Sequence, residues 1–189
     1  MPKVFEDYFY FVRHGETENN ALGLVTGVKD IPLNDAGITQ ASKAVHCVSA
    51  LGIKSCICSS LMRAVQTAVL MLQKTGVTPV LVDGFKERDW GKLECTSKKE
   101  LDNFVFSKMG VEPWGDFVKR NIEAVHSLTV EPPVLIVAHS GTFRALCDYL
   151  KIHIEKRPVI NAWPYCFFKT GAGWNVTIVD NVQSQGGLP

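Results

Sequence analysis

A chain of 189 residues, 46% of them hydrophobic, can bury a full core and fits one globular domain over residues 1–189. Its formal net charge of +1 gives no overall field for nucleic acid or an anionic membrane, so any anion site must be local. No apolar run is long enough to span a bilayer, and the acidic residues of "MPKVFEDYFY" do not suit a signal peptide.

The predicted elements alternate. "YFYFVR" (8–13) is a strand buried on both faces. The stretch "GETENNALGLVTGVKDIPL" has no clean period and reads as a loop. Asn34 caps a helix through "ITQASKAVHCVSAL", with an apolar stripe of Ala41, Ala44, Val45, Val48 and Leu51 and a stop at Gly52. "SCICS" (55–59) is a second strand. Ser60 is the expected cap of "LMRAVQTAVLMLQKTG", whose stripe is Leu61, Val65, Ala68, Val69 and Leu72. "TPVLVDG" is a third strand, followed by the polar loop "KERDWGKLE". Ser97 and Glu100 form a capping box for a helix through "LDNFVFSKM". A further helix runs from about Trp114 to Leu128, Pro132-Pro133 breaks the chain, and "VLIVAHS" is a fourth strand. Gly141 leads into the helix "TFRALCDYL", and "YCFFKTGAGWNVTIVD" reads as a hairpin turning at residues 171–173. Short, continuously apolar strands between helices predict a three-layer α/β fold, a mostly parallel sheet with helices on both faces.

The six cysteines (47, 56, 58, 95, 147 and 166) form no CxxC pair, and several sit in apolar runs. They read as buried thiols in a reducing cytoplasm, not as disulfides or metal ligands. Asn175 and Thr177 fit a glycosylation pattern but read as part of a cytosolic strand.

Sites in open α/β sheets lie beyond the carboxyl ends of the strands. The first strand is followed by Arg13, His14 and Gly15, and the second leads into a helix carrying Arg63. The third leads to Glu87, Arg88 and Asp89, and the fourth ends at His139, Ser140 and Gly141. Two histidines, several arginines and a carboxylate therefore meet on one edge, and the chemistry they fit is phosphoryl transfer. Arginine forks grip phosphate oxygens, and a helix N-terminus favours anions. A neutral imidazole can attack phosphorus in line, and a carboxylic acid can protonate the departing alkoxide. Gly15 allows close backbone approach after the histidine.

In order, "RHGETENN", "SSLMRAVQTA", "KERDWG" and "AHSGTFRAL" resemble the signatures of the histidine phosphatase superfamily, branch 1, the phosphoglycerate mutase-like family. The likeness runs from about Tyr8 to Val179. It implies that His14 is the nucleophile, that Arg13 and Arg63 hold the phosphoryl group, and that His139 donates a hydrogen bond to it. It makes Glu87 the proton donor, although Asp89, two residues on, competes for that role. Asn20, Thr26 and Gly27 match positions near the phosphate, and also suit turns. The family needs no metal or cofactor, and none is expected here. Ser140 follows His139 where the phytase-like branch has its acid, which argues against that branch.

His46, His126 and His153 match no motif. Trp90, Trp114 and Trp163 read as packing residues, and Arg144 as structural. The function expected is a metal-independent phosphatase acting on a small phosphorylated metabolite, without nucleic-acid or membrane partners. Its rivals are a phosphoglycerate mutase, a protein phosphohistidine phosphatase and a non-catalytic phospholigand module. The short span between Glu87 and His139 leaves little chain for a mutase lid and favours hydrolysis. The oligomeric state is left open.

Overall fold

The computed structural model describes Val4 and residues 6–154 and 158–179. Its sheet has six strands in the order β3-β2-β4-β1-β5-β6. These are β1 (Tyr8–Arg13), β2 (Ser55–Ser59), β3 (Pro79–Val82), β4 (Val134–Ala138), β5 (Pro164–Thr170) and β6 (Gly173–Ile178). The first four in sequence are parallel, and the β5–β6 hairpin adds antiparallel to β1. The central strands are apolar throughout because both faces are covered. Phe9, Phe11, Ile57, Val134 and Ile136 pack with Ile122, Val125, Phe143 and Leu146 on one side. Val12, Cys56, Cys58, Leu135 and Val137 pack with Ala41, Val48, Ala64, Ala68 and Met71 on the other. The period-2 alternation thus persists inside runs that look uniformly hydrophobic.

The helices are α1 (Glu18–Ala21), α2 (Asp35–Lys43), α3 (Val45–Ala50), α4 (Met62–Met71), α5 (Trp114–His126) and α6 (Ser140–Tyr149). Among the described residues no helix is long and apolar enough to cross a membrane.

Several expectations need correction. The predicted loop after β1 contains α1, closed by a capping box between Thr17 and Asn20; four residues are too few to carry a period. The single helix expected after Asn34 is two, parting at Ala44, although Asn34 does accept from the Gly37 N–H and most of the stripe is buried.

Ser60 does not cap α4. Its hydroxyl bonds to Asp83, while Asp30 accepts from the Met62 N–H at 2.6 Å. Leu61, Ala68 and Leu72 of the expected stripe are buried, but Val69 is exposed and the buried side extends to Arg63, Ala64, Thr67 and Met71. Small residues meet the sheet, and the buried Arg63 and Thr67 serve the sheet's edge.

The helix expected after Ser97 is a pair of 3₁₀ segments, Lys98–Asn103 and Phe106–Met109. None of their residues is buried, so no packed face supports a full α-helix there. All six cysteines are free, but Cys95 is exposed, against the expectation of burial.

Candidate active site

Strand register puts the candidate residues in one row. Arg13 pairs with Ala138, Cys58 with Val137 and Ser59 with Val82, so β1, β4, β2 and β3 end together. The next residues are His14, His139, Ser60 and Asp83. A 3₁₀ turn over Asp83–Phe85 then carries the chain to Glu87.

His14 extends the ladder by one bond, its N–H donating to the Ala138 carbonyl at 2.9 Å, and Asn161 Nδ2 donates to its carbonyl at 2.8 Å. The next residue holds the turn. The Gly15 N–H donates to Thr67 Oγ1 at 2.9 Å. A Cβ on Gly15 would lie 2.6 Å from the Gly37 carbonyl oxygen, and one on Gly37 would lie 2.1 Å from that of Glu16. Two glycines are therefore needed for the loop to lie on α2.

His14 Nδ1 is 2.7 Å from the Gly15 carbonyl oxygen. A carbonyl only accepts, so Nδ1 carries the proton and Nε2 keeps its lone pair. The His14 ring is 5.1 Å from that of His139, centroid to centroid. His139 is fully buried at the N-cap of α6. Its Nε2 lies 2.8 Å from Ser59 Oγ, and its Nδ1 has no hydrogen-bond partner. Burial, with Arg63 next in weight, pushes both imidazoles well below their ordinary pKa of 6.5. Both are neutral bases at pH 7.

Arg63 reaches from α4 under the loop of Thr26 and Gly27, giving one hydrogen bond to the Lys29 carbonyl and one to that of Gly27, both at 2.8 Å. Arg13 Nη1 donates to the Val159 carbonyl at 2.8 Å. The Nε groups of Arg13 and Arg63 and the Thr26 hydroxyl are buried without partners. Unmet donors beside two neutral imidazoles suit an anion. Burial lowers the pKa of Arg63 to about 10, with Glu87 opposing, so it stays charged at pH 7.

The Glu87 carboxylate accepts from the Arg88 N–H at 2.8 Å and from the Gly141 N–H at 3.1 Å. A Cβ on Gly141 would lie 2.0 Å from Glu87 Oε1, so a side chain there would displace the carboxylate. Asp89 instead accepts from the Gly91 N–H at 2.7 Å.

A cavity of about 760 Å³ opens over this row. Arg13, His14, Asn20, Thr26, Arg63 and Glu87 line it, whereas Asp89 does not. Gly27 and His139 lie behind the wall, the first through its bond to Arg63 and the second through its ring against His14. The wall also includes residues that the sequence reading passed over. Trp90 and Trp114, read as packing residues, flank the Arg88 guanidinium at 5.3 and 5.8 Å from their ring centroids. Arg144, read as structural, is exposed and lines the same cavity, as does Lys98. Arg88 and Trp90 stand inside the quoted "KERDWG"; no sequence signal aims Lys98 or Arg144. The wall thus carries Arg13, Arg63, Arg88, Lys98 and Arg144 against the single carboxylate of Glu87.

A parallel sheet edge that gathers two histidines, an arginine pair and a carboxylate around one cavity fits phosphoryl transfer. The profile of the histidine phosphatase superfamily (branch 1) matches residues 9–166, and the chain belongs to that family. It is 34% identical to the phosphatase PhoE of Bacillus subtilis (strain 168), over 71% of this chain and 72% of that one. It is 30% identical to a 2,3-bisphosphoglycerate-dependent phosphoglycerate mutase of Methylobacterium sp. (strain 4-46), over 84% of this chain and 88% of the mutase. In structure it resembles a mycobacterial glucosyl-3-phosphoglycerate phosphatase solved with VO3, with a TM-score of 0.75 and 23% identity over 92% and 98% of the two chains.

Proposed function

We propose that the chain is a metal-independent phosphomonoesterase that works through a phosphohistidine on His14. The carrying observation is the His14 tautomer. With Nδ1–H tied to Gly15, the Nε2 lone pair is free beside the unmet donors of Arg13 and Arg63. Nε2 bonds to phosphorus as the ester P–O bond breaks, and Glu87 gives its proton to the leaving alkoxide. Water then attacks phosphorus, Glu87 as carboxylate takes the water's proton, and His14 departs as neutral imidazole. Arg13 and Arg63 hold the non-bridging oxygens, with Asn20 and the Thr26 hydroxyl beside them. Gly27 serves indirectly, through Arg63.

His139 donates from Nδ1. That requires Ser59 to donate its hydroxyl proton to Nε2. The Leu61 N–H, 3.3 Å from Ser59 Oγ, fills an acceptor site and favours this arrangement. The arginines supply the charge neutralisation that a metal would otherwise give.

The cavity is much larger than a phosphoryl group, and Arg88, Lys98 and Arg144 are cations beyond the reacting centre. We therefore assign a small metabolite whose alcohol portion carries a second anionic group. Residues 1–189 then act as one catalytic domain, and the six free thiols suit a reducing cytoplasm. The mutase rival is tested by supplying 3-phosphoglycerate in EDTA, with and without 2,3-bisphosphoglycerate. Phosphate release should outrun formation of 2-phosphoglycerate in both. Faster isomerisation would overturn the phosphatase reading, and loss of turnover in EDTA would overturn metal independence.

The buried imidazoles also set a pH dependence. Both have folded-state pKa values below 6.5, so beneath that pH the unfolded chain binds more protons. Their contribution to stability is complete above pH 6.5 and is lost as pH falls toward the folded values. The limiting slope is about 1.4 kcal/mol per pH unit for each histidine. Urea unfolding between pH 7.5 and 5 should show a shallower slope for His139→Gln than for wild type. An unchanged slope would contradict the assignment. The acid limb of kcat/KM should also lie below the ordinary imidazole range.

A further inference from the structure

Arg120 does not touch the catalytic cavity, yet three of its donor bonds converge on the loop that carries Glu87. A guanidinium has five N–H groups, and here each is used. Nη1 donates to the carbonyls of Gly84 and Lys86 at 2.8 and 2.9 Å, and Nη2 to that of Glu87 itself at 2.9 Å. The other two bonds form a bidentate pair with Glu112, at 2.6 Å from Nε and 3.0 Å from Nη2.

Glu112 completes the clamp on the far side of Glu87. Its carboxylate accepts from the Asp89 N–H at 3.2 Å, its carbonyl accepts from Arg88 Nε at 2.7 Å, and its N–H donates to the Asp89 carbonyl at 2.9 Å. The backbone is thus held on both sides of the acid. The loop also lies close on α5, since a Cβ on Gly84 would be 2.6 Å from that of Ala124. The guanidinium sits 4.7 Å over the Phe117 ring, whose tip is 3.1 Å from where a Cβ on Gly141 would lie. Gly141 in turn gives its N–H to Glu87. One face of α5 therefore supports both the loop behind the carboxylate and the helix N-terminus in front of it.

We infer that Arg120, anchored by Glu112, is a positioning residue for proton transfer. It fixes the backbone from which Glu87 reaches the leaving-group oxygen. This rests on the reading of Glu87 as the acid. An arginine that only stabilised the fold would, when lost, slow every substrate alike. A positioning arginine acts where the proton matters. An aryl oxygen leaves unassisted, whereas an alkyl oxygen needs the proton, and a misplacement of about 1 Å costs on the order of 10²-fold.

The test is Arg120→Met, which keeps side-chain length over Phe117 and removes every donor. The kcat/KM for glycerol phosphate should fall about 10²-fold, and that for p-nitrophenyl phosphate less than about 5-fold. Glu87→Gln should show the same pattern, and adding Arg120→Met to it should cost nothing further on glycerol phosphate. Equal losses on both esters, or full additivity in the double variant, would overturn the positioning role. Glu87→Gln alone reads the underlying assignment: no leaving-group dependence there removes Glu87 as the acid, whatever Arg120 does. If a thermal melt shows that Arg120→Met is unfolded, Glu112→Gln takes its place. It keeps the carbonyl contacts and weakens the anchor, with an expected loss of about 10-fold confined to the alkyl ester. Equal losses would again overturn the proposal.

Discussion

His14→Ala should fold and should release no phosphate, with turnover lower by on the order of 10⁵-fold or more. The fold should survive because the links at this position are mainly backbone. The N–H to Ala138 and the carbonyl from Asn161 Nδ2 do not need the imidazole. Removing a neutral ring pressed by Arg63 and Arg13 also exposes no charge of its own. Activity should not survive, because no other nucleophile among the described residues sits beside the unmet arginine donors. His139 has no free lone pair in the proposed tautomer, since its Nε2 is engaged by Ser59 and its Nδ1 carries the proton. A rapid acid-free quench of wild type with labelled substrate should trap acid-labile phosphate on the protein, and the variant should trap none. A folded variant, checked by its circular dichroism melt, that retained even a hundredth of the rate would remove the covalent mechanism.

The strands and the residues at their ends were legible because parallel sheets impose a local signature. Continuous apolar runs such as "VLIVA" must be covered on both faces, and a polar residue directly after one must lie at an edge. That located Arg13, His14 and His139. Arg63 was legible by position, but the full width of the buried face of α4 was not. An apolar stripe predicts which side is buried only when the buried side is apolar, and here an arginine and a threonine face inward. The Ser60 cap failed for a related reason. A carboxylate distant in sequence, Asp30, took the Met62 N–H, and Ser60 turned to Asp83.

The cavity wall and the support of the Glu87 loop were hidden for a different reason. Lys98, Arg144 and Arg120 are ordinary charges on exposed or half-exposed elements, and only the fold aims them. Arg88 and Trp90 were inside one motif, but a guanidinium flanked by two indoles cannot be inferred when the second, Trp114, lies far along the chain on α5. The choice between Glu87 and Asp89 likewise depended on loop shape. Glu87 turns toward α6, and Asp89 closes a local turn on Gly91.

Arg63→Lys should lower kcat/KM by about 10³-fold, and by the same factor for aryl and alkyl esters. Charge is not what the substitution removes, because a lysine ammonium is also positive at pH 7. What is lost is the fork. In the native site the two terminal nitrogens hold the Gly27 and Lys29 carbonyls, and Nε is buried without a partner. One ammonium nitrogen cannot hold two carbonyls and a phosphoryl oxygen in that plane. Losing one or two charge-assisted bonds to the transferring group, at about 1.5–3 kcal/mol each, gives roughly the stated factor. In the proposed mechanism Arg63 holds the oxygens that stay on phosphorus and Glu87 serves the one that leaves, so the leaving group should not matter here. Affinity for vanadate, whose five-coordinate form resembles the in-line transition state, should weaken in step with kcat/KM. The loop should also loosen, since the Gly27 carbonyl loses its partner in a buried setting, at about 1–3 kcal/mol and therefore several degrees of melting temperature. Full vanadate affinity in a folded Arg63→Lys protein, or a loss confined to alkyl esters, would show that Arg63 supports the loop without holding the phosphoryl group.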